Sequence, residues 1–254
     1  MRVRADSGSD PISLAVDYLQ SVRQGEDSGA VLAEIGELDA ERLAALSDAA
    51  KRAFWINLYN ANVQDRLTDD PDAFDRKRRF FRADAILVAG QSLSLDDIEH
   101  GLLRRSRFKW GLGYIPNPFA GGFKRRLRVS TVDPRIHFAL NCGAASCPPI
   151  AFYSIDGLDD QLRIATTGYL ESTVDYDAER GIVRVPRLML WYRGDFGGRR
   201  GILELLREHD LLPTRASPRL KHRSYDWTLS LGDFRDRPSP QADPAPCQQV
   251  DDGR

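Results

Sequence analysis

Residues 133–150, DPRIHFALNCGAASCPPI, bring a histidine and two cysteines together in one short segment. Cys142 precedes a glycine, Cys147 precedes two prolines, and His137 lies just before both. A cysteine hydrolase or acyl transferase uses a thiolate as nucleophile and a histidine that shares its proton. The same residue types could bind zinc, and prolines beside buried thiols are also typical of a rigid structural turn. These residues leave thiol catalysis, a metal site and a structural turn open.

The apolar run before Cys142 has the length of a short strand. Successive side chains of a strand point to opposite faces, so His137 and Cys142 would face away from each other. This parity argues against His137 as the base for Cys142. A base from another segment is the better hypothesis, and amide N–H groups after Gly143 could form an oxyanion hole.

A second chemical signal is a carboxylate on the apolar face of a predicted helix, LSLDDIEHGLLR at residues 93–104. Glu99 interrupts the apolar stripe and His100 lies beside it. An unpaired buried carboxylate is costly, so we expect Glu99 either to bind structural donors or to serve a site. The catalytic hypothesis makes Cys142 the nucleophile and His100 its base, with Glu99 or Asn57 as the orienting group. If the thiols instead bind zinc, either histidine could be a further ligand.

The helix that must position this site is predicted at AFWINLYNANVQDRL, residues 53–67. Apolar side chains point in every direction from it, which indicates burial on most sides. Asn57, Asn60 and Asn62 lie within the same stretch. Because buried amides need hydrogen-bond partners, we expect these asparagines to tie the helix to loops.

Residues 104–128, here called the basic loop, contain eight basic side chains and no acidic one. Aromatic residues, glycines and prolines are interleaved with them, which excludes a long regular element. The loop could bind an anionic small substrate or partner, with Arg104 and Arg125 as contact candidates, or it could be a solvated loop pinned by its aromatic residues. Basic residues mixed with aromatics can also bind single-stranded nucleic acid, but this is the least favoured interpretation.

Composition limits the remaining possibilities. The formal charge of −1 argues against a dedicated nucleic-acid or membrane-surface protein. No signal-peptide pattern and no apolar run of about 18 residues is visible, so we expect a cytoplasmic protein without a membrane segment. Three cysteines are too few for a disulfide scaffold, and we expect Cys142 and Cys147 to be free thiols. No cofactor is predicted.

The predicted elements are those of an α+β protein, with a helical N-terminal half packed on a small, mostly antiparallel sheet. Helices are expected after Asp10, from Leu38 through Leu67, at 94–104, at 158–169 and at 202–209. Strands are expected in a hairpin at 85–94, on both sides of a turn at 179–181 and in the closing segment YDWTLS at 225–230. A tail from Asp236, rich in proline and polar residues, is predicted to be disordered.

Four segments resemble the family catalogued as domain of unknown function 547. They are AFWINLYNA (53–61), SLDDIEHGLLR (94–104), DPRIHFALNCGAASCPPI (133–150) and LWYRGDF (190–196). The resemblance implies one core domain at 50–231, an N-terminal helical extension at 1–49 and a tail at 236–254. Family motif positions correspond here to Asn57, Asn60, Glu99, His100, Cys142, Ser146 and Pro148. Some relatives lack the second cysteine, which weakens Cys147 as a nucleophile and weakens a two-cysteine metal site.

The inventory of cysteine, histidine and glutamate resembles papain-like and transglutaminase-like enzymes by analogy, although their sequence order differs. We therefore expect a thiol-dependent hydrolase or acyl transferase acting on a small-molecule or peptide substrate. Asn60, His137, Ser146, Arg104 and Arg125 are the substrate-binding candidates. The alternative is a non-catalytic interaction module whose polar residues lock the core while the basic loop contacts an anionic partner.

Overall fold

A computed structural model describes residues 9–235 of the chain. Its α-helices are α1 (Pro11–Gln24), α2 (Gly29–Gly36), α3 (Ala40–Ala45), α4 (Asp48–Asp69), α5 (Lys77–Arg82), α6 (Gly122–Leu127), α7 (Leu158–Thr173), α8 (Leu188–Trp191) and α9 (Gly198–Glu208). A π-helix spans Asp97–Leu103, and 3₁₀ helices span Pro71–Arg76 and Pro134–Phe138. The strands are β1 (Asp84–Val88), β2 (Gln91–Ser94), β3 (Asp175–Asp177), β4 (Ile182–Val185) and β5 (Arg219–His222).

The N-terminal half is helical, as predicted, and α4 runs through its centre. The α1 helix begins where the sequence indicates, because the Asp10 carboxylate accepts from the Ser13 N–H at 2.9 Å. The single helix predicted from Leu38 to Leu67 is wrong, because the chain is extended at Leu46 and Ser47 between α3 and α4. The Ser47 hydroxyl accepts from the Ala50 N–H at 3.2 Å and so starts a separate helix.

Two small sheets complete the α+β architecture. Strands β1 and β2 form an antiparallel hairpin, with the turn at Gly90 that the sequence predicts. In the second sheet β3 pairs with β4 in the antiparallel direction, and β4 pairs with β5 in the parallel direction. The closing strand predicted at 225–230 is wrong, since its only bridge among the described residues joins Leu229 to Ala144. The third strand is β5 instead.

The strand predicted before Cys142 is also wrong. Residues Pro134–Phe138 form a 3₁₀ helix, and the Asp133 carboxylate caps it by accepting from the Arg135 N–H at 3.0 Å. An Asp-Pro pair at the start of a helix provides both a cap and a preset first φ angle, and this local effect outweighs the apolar run. The strand parity that separated His137 from Cys142 therefore does not apply.

The apolar core has two parts. The larger surrounds α4 and contains side chains from α1, the hairpin, the π-helix and the segment around Cys147. The smaller packs Phe138 against α7, β4, α8 and α9. The segment after Pro134 lies between the two parts and carries both the histidine and the thiols of the candidate site. No helix within residues 9–235 is long and apolar enough to cross a membrane.

Candidate functional site

The two cysteines form a thiol pair. Cys142 Sγ lies 2.7 Å from Cys147 Sγ, and the Cys142 backbone N–H donates to Cys147 Sγ at 3.0 Å. The hydroxyl of Tyr225 lies 3.4 Å from Cys142 Sγ and 3.2 Å from Cys147 Sγ. Cys147 is buried, whereas Cys142 is partly exposed. The two sulfurs are therefore adjacent, and Cys142 is the more exposed residue of the pair.

Buried asparagines hold the loop that carries the pair. Asn60 on α4 donates to the Ala139 carbonyl at 2.9 Å and accepts from the Asn141 N–H at 2.8 Å. Asn141 in turn accepts from the Gly143 N–H at 2.8 Å and donates to the Pro148 carbonyl at 2.9 Å. Gly143 has a φ of +85°, and a side chain there would clash with Leu67 on α4. Glycine is therefore required between the two cysteines.

The proposed oxyanion hole after Gly143 is largely occupied. The N–H of Gly143 bonds to Asn141, the N–H of Ala145 bonds to the Thr228 carbonyl at 2.8 Å, and the N–H of Ser146 bonds to a backbone carbonyl at 3.2 Å. The remaining N–H of this turn, on Ala144, faces the two sulfurs. These amides position the turn and the thiols.

The two thiols have opposite pKa shifts. Burial raises the pKa of Cys147, but hydrogen bonds from Cys142 and Tyr225, together with N–H groups of Ala144 and Cys142, outweigh burial and lower it. The hydrogen bond to Cys147, followed by burial, raises the pKa of Cys142 well above its usual value. Because the sulfurs are so close, the first proton is lost from the pair as a unit, and the hydrogen bonds to Cys147 favour the charge on that sulfur.

The Glu99 segment forms a π-helix rather than the predicted α-helix. The capping box is nevertheless present, because the Asp97 N–H donates to Ser94 Oγ at 3.1 Å and the Ser94 N–H donates to Asp97 at 3.2 Å. The Arg104 N–H bonds to the Glu99 carbonyl at 2.9 Å, five residues back. This wider turn is common at functional sites.

Glu99, His100 and Arg104 contact one another at this π-helix. His100 Nδ1 lies 3.4 Å from the Glu99 carboxylate and 2.9 Å from Arg104 Nη1. Because a guanidinium can only donate, Nδ1 accepts from Arg104 and the proton of a neutral His100 is on Nε2. His100 Nε2 has no hydrogen-bond partner among the described residues.

A histidine–aspartate pair extends this cluster. His137 Nε2 lies 2.9 Å from Asp195 Oδ2, and Arg104 Nε donates to the same oxygen at 2.6 Å. Both ends of the Arg104–Asp195 ion pair are fully buried. The Tyr192 ring stacks on His137 with centroids 3.9 Å apart, and the Arg104 guanidinium lies 4.6 Å from the centre of the same ring. Together with the residues at the π-helix these side chains form what we call the acid–base cluster: Glu99, His100, Arg104, His137, Tyr192 and Asp195.

Charge in the acid–base cluster is fixed by its pairing. Burial raises the pKa of Glu99, but the neighbouring His100 and Arg104 and a hydrogen bond from Tyr192 lower it to about 2. Burial lowers the pKa of both His100 and His137 below the usual value. Both histidines are therefore largely neutral near pH 7, and Arg104 provides the positive charge that keeps Glu99 ionised.

Tyr59 on α4 lies between the acid–base cluster and the thiol pair. Its hydroxyl donates to Glu99 Oε2 at 3.5 Å. Burial first, and then the nearby charges of Glu99 and Cys142, raise its pKa well above the usual value. The sequence-based hypothesis joined Glu99, His100 and Cys142 in one site. In the structure Glu99 and His100 belong to the acid–base cluster, and Cys142 belongs to the neighbouring thiol pair. The contacts of Cys142 Sγ within the described residues are nevertheless with Cys147 and Tyr225.

The other predicted site residues have structural contacts. Asn57 donates to the Tyr153 carbonyl at 2.8 Å and accepts from the Tyr153 N–H at 3.0 Å. Ser146 accepts from Tyr169 through its carbonyl at 2.7 Å and from the Asp226 N–H through its hydroxyl at 2.8 Å. Arg125 is exposed on α6 and donates to the Pro118 carbonyl at 2.8 Å. Their roles in substrate binding stay predictions.

Sequence reasoning missed four polar residues: Tyr59, Tyr192, Asp195 and Tyr225. Tyr192 and Asp195 lie in the LWYRGDF segment, and an aspartate in an aromatic segment broken by glycine was a signal that could have been used. Tyr225 had no such signal, because it reaches the thiols from a distant irregular segment. No group of three or more His, Cys, Asp or Glu side chains in residues 9–235 is arranged to hold a metal ion.

Comparison with known proteins gives one match. No curated protein and no solved structure is significantly similar to the chain. A family profile described as "Protein of unknown function, DUF547" matches residues 43–170, half of the chain. The matched range contains α4, the π-helix and both thiols. The chain therefore belongs to the DUF547 family.

Proposed function

We propose that the protein is a thiol-dependent hydrolase or acyl transferase in which Cys142 is the nucleophile and Cys147 accepts its proton. The observation that carries this proposal is the 2.7 Å contact between the two sulfurs, and the lowered pKa of Cys147 supports it. A thiolate at this distance can act as the general base that a cysteine nucleophile otherwise obtains from histidine. The partly exposed Cys142 is then available to an acyl carbon.

The proposed reaction begins when Cys142 Sγ attacks the carbonyl carbon of an ester, thioester or amide. A carbon–sulfur bond forms, the carbonyl π electrons move to oxygen, and the thiol proton passes to Cys147. Collapse of this intermediate expels the leaving group, which takes the proton from Cys147. Water or an acceptor nucleophile then attacks the acyl-thioester and loses its proton to Cys147. The carbon–sulfur bond breaks, and the released Cys142 thiolate takes the proton back from Cys147. Each step conserves atoms and electrons, and no external oxidant is needed.

His100, predicted from sequence as the base, is assigned a different part in this proposal. Its Nδ1 accepts from Arg104, and the acid–base cluster lies across Tyr59 from the thiols. We assign Glu99, His100 and His137 to the polar support of the thiol site, in which the buried Arg104 holds the Glu99 charge and the His100 ring in place. Asn57 and Asn60 position the backbone around the thiols.

The experiment is labelling with a panel of acyl and peptide electrophiles, read by mass spectrometry at each cysteine. A Cys247→Ala background removes the third thiol. We expect covalent labelling at Cys142, its loss in Cys142→Ala, and slower labelling of Cys142 in Cys147→Ala near neutral pH. Raising the pH to about 9 should restore labelling in Cys147→Ala, because the Cys142 thiol then ionises without a partner.

Labelling that is unchanged in Cys142→Ala would overturn the assignment of the nucleophile. Labelling of Cys142 that does not depend on Cys147 at any pH would remove the proposed base. A reducing compartment such as the cytoplasm fits the proposal, because the pair must remain as two thiols to react. The exposed basic loop favours a second role as an interaction module. That role needs no thiol and would survive Cys142→Ala.

A further inference from the structure

The basic loop exposes an unusual amount of apolar surface. Five large hydrophobic side chains of this loop are at least two-fifths exposed, with Trp110 at 80% and Phe119 at 84%. The others are Leu112, Tyr114 and Ile115. Soluble proteins rarely leave so many large apolar groups together in water, so such a surface indicates a partner.

Four of these side chains, all except Phe119, lie in a defined hairpin at residues 106–117. The Phe108 N–H donates to the Ile115 carbonyl at 3.0 Å, and the Asn117 N–H donates to the Ser106 carbonyl at 2.7 Å. The tip of the hairpin is fixed to the acid–base cluster, because the Gly194 N–H donates to the Leu112 carbonyl at 2.7 Å. A side chain at Gly113 would lie 2.6 Å from the Asp195 backbone nitrogen, so only glycine permits this approach. The hairpin is therefore fixed at its tip to the segment that carries Asp195, while its large apolar side chains remain exposed.

The charges of the basic loop fall into two groups. Five of its eight cations pair with carboxylates, namely Arg104, Arg107, Lys109, Lys124 and Arg126. Within residues 9–235 no carboxylate pairs with the other three, Arg105, Arg125 and Arg128. Burial, followed by the charges of Arg105 and Arg125, lowers the pKa of Arg128, so both of these arginines are close enough for their charges to act on Arg128. A cluster of like charges without counter-ions is suited to an anion.

The arginine cluster and the exposed apolar residues form one surface. Arg128 donates to Ser106 Oγ at 3.1 Å, at the base of the hairpin. Arg125 donates to the Pro118 carbonyl at 2.8 Å, next to the exposed Phe119. These arginines therefore contact the same loop that carries the exposed aromatic side chains.

We propose that this surface binds peripherally to the anionic phospholipid headgroups of a bilayer, with Trp110 and Phe119 inserted at the interface. Tryptophan and other aromatic side chains favour the headgroup region, and each nearby arginine or lysine adds attraction to an anionic leaflet. Trp110 and Phe119 are the most exposed of these apolar side chains, at 80% and 84%, and full exposure of aromatic rings beside cations suits insertion at a lipid interface. Because basic residues are concentrated in one loop, this surface can attract an anionic bilayer although the net charge of the chain is near zero.

The test is co-sedimentation with phosphatidylcholine vesicles that contain or lack phosphatidylserine. We expect binding that requires phosphatidylserine and weakens as salt is added. Trp110→Ser combined with Phe119→Ser should lower partitioning at least about tenfold. Arg105→Gln and Arg125→Gln should each lower it about fivefold.

A matched control replaces an exposed apolar residue and an adjacent arginine outside the loop. Ile164→Ser, at a side chain that is 43% exposed, and Arg163→Gln should leave binding unchanged. Cys142→Ala should also bind as wild type does, so this result is independent of the thiol chemistry. Thermal melts of each variant show whether the fold is intact.

Four results would overturn the proposal. The first is no binding to either vesicle, and the second is equal loss of binding in the control variants. The third is tight binding to polyglutamate that vesicles do not displace, which would identify an acidic polypeptide as the partner. The fourth is that inorganic phosphate, added at constant ionic strength, displaces the protein from vesicles while the aromatic substitutions have no effect. That result would contradict insertion into a bilayer.

Discussion

At the residue scale, the difference between the two cysteines comes from their donors. Cys147 accepts from the Cys142 N–H and is close to the Tyr225 hydroxyl, and these contacts lower its pKa although the thiol is buried. Hydrogen bonds to a charged group are stronger than those to a neutral one, which is why several donors can outweigh burial. Sequence spacing could not distinguish the two thiols, because the decisive donors include a residue far along the chain.

Tyr225→Phe tests this origin of the charge. The substitution removes the hydroxyl but keeps the ring that packs on Trp191 and Trp227, with centroids 5.0 and 4.6 Å away. Loss of one donor to a charged acceptor should raise the pKa of Cys147 and slow labelling of Cys142 about tenfold near neutral pH. Site-resolved mass spectrometry measures the rate, and Tyr176→Phe, outside the site, is the control. An unchanged rate would mean that Tyr225 does not stabilise the thiolate.

At the scale of elements, α4 positions the site through side-chain amides. Asn57 and Asn60 each donate to a backbone carbonyl and accept from a backbone N–H within 3.0 Å. Such two-point contacts fix the segments after Pro134 and before Tyr153 against the helix. The predicted link between buried asparagines and loops is confirmed for both residues.

Asn60→Ala should destabilise the fold and disturb the thiols together. The Ala139 carbonyl and the Asn141 N–H would both lose their partner in the core, at a cost of about 2–4 kcal/mol in the free energy of unfolding. Asn62→Ala is the matched control. Asn62 makes only longer contacts, 3.3 and 3.4 Å, and lies away from the loop, so it should cost about 1 kcal/mol without slowing Cys142. Urea unfolding and labelling rates measure the two effects. Equal slowing of Cys142 by both changes would contradict the positioning role of Asn60.

Much of the element order was predictable because local signals decide it. The Asp10 cap, the Gly90 turn and the Ser94 capping box each depend on neighbours within a few residues. The strand predicted before Cys142 failed because the Asp133-Pro134 start imposed a 3₁₀ turn on an apolar run. Of the candidate site, Glu99 and Cys142 could be identified from residue type and position. Tyr225, which contacts Cys142, could not, because that contact depends on tertiary packing.

At the scale of the whole molecule, the buried charges should make stability depend on pH. Glu99 has a folded-state pKa of about 2, and the pKa values of Asp195, His100 and His137 are also lowered. A lowered pKa in the folded state means that the unfolded chain binds protons first as the pH falls. The stabilisation is therefore complete above about pH 6.5 and decreases progressively below it, first through the histidines and then through the carboxylates.

His137→Gln should flatten this dependence between about pH 6.5 and 5. Removing one buried histidine lowers, by up to one, the number of protons that the unfolded state binds in excess of the folded state. The slope of the free energy of unfolding against pH should then fall by up to about 1.4 kcal/mol per pH unit. His209→Gln is the control, because His209 is only partly buried and solvent screens it. Chemical unfolding at several pH values gives the slope, which is independent of any constant loss from the substitution. A slope that His137→Gln leaves unchanged would contradict a buried neutral histidine.

The central claim is that Cys142 reacts because Cys147 takes its proton, and the pH profile of Cys142 alkylation by iodoacetamide tests it most directly. In the Cys247→Ala background, the wild-type rate should rise with a midpoint below about 8.5, the ordinary thiol value. In Cys147→Ser the midpoint should move to about 8.5 or above, while His100→Ala should leave it near the wild-type value. A midpoint that is unchanged by Cys147→Ser and shifts upward in His100→Ala would contradict the account and return the role of base to His100.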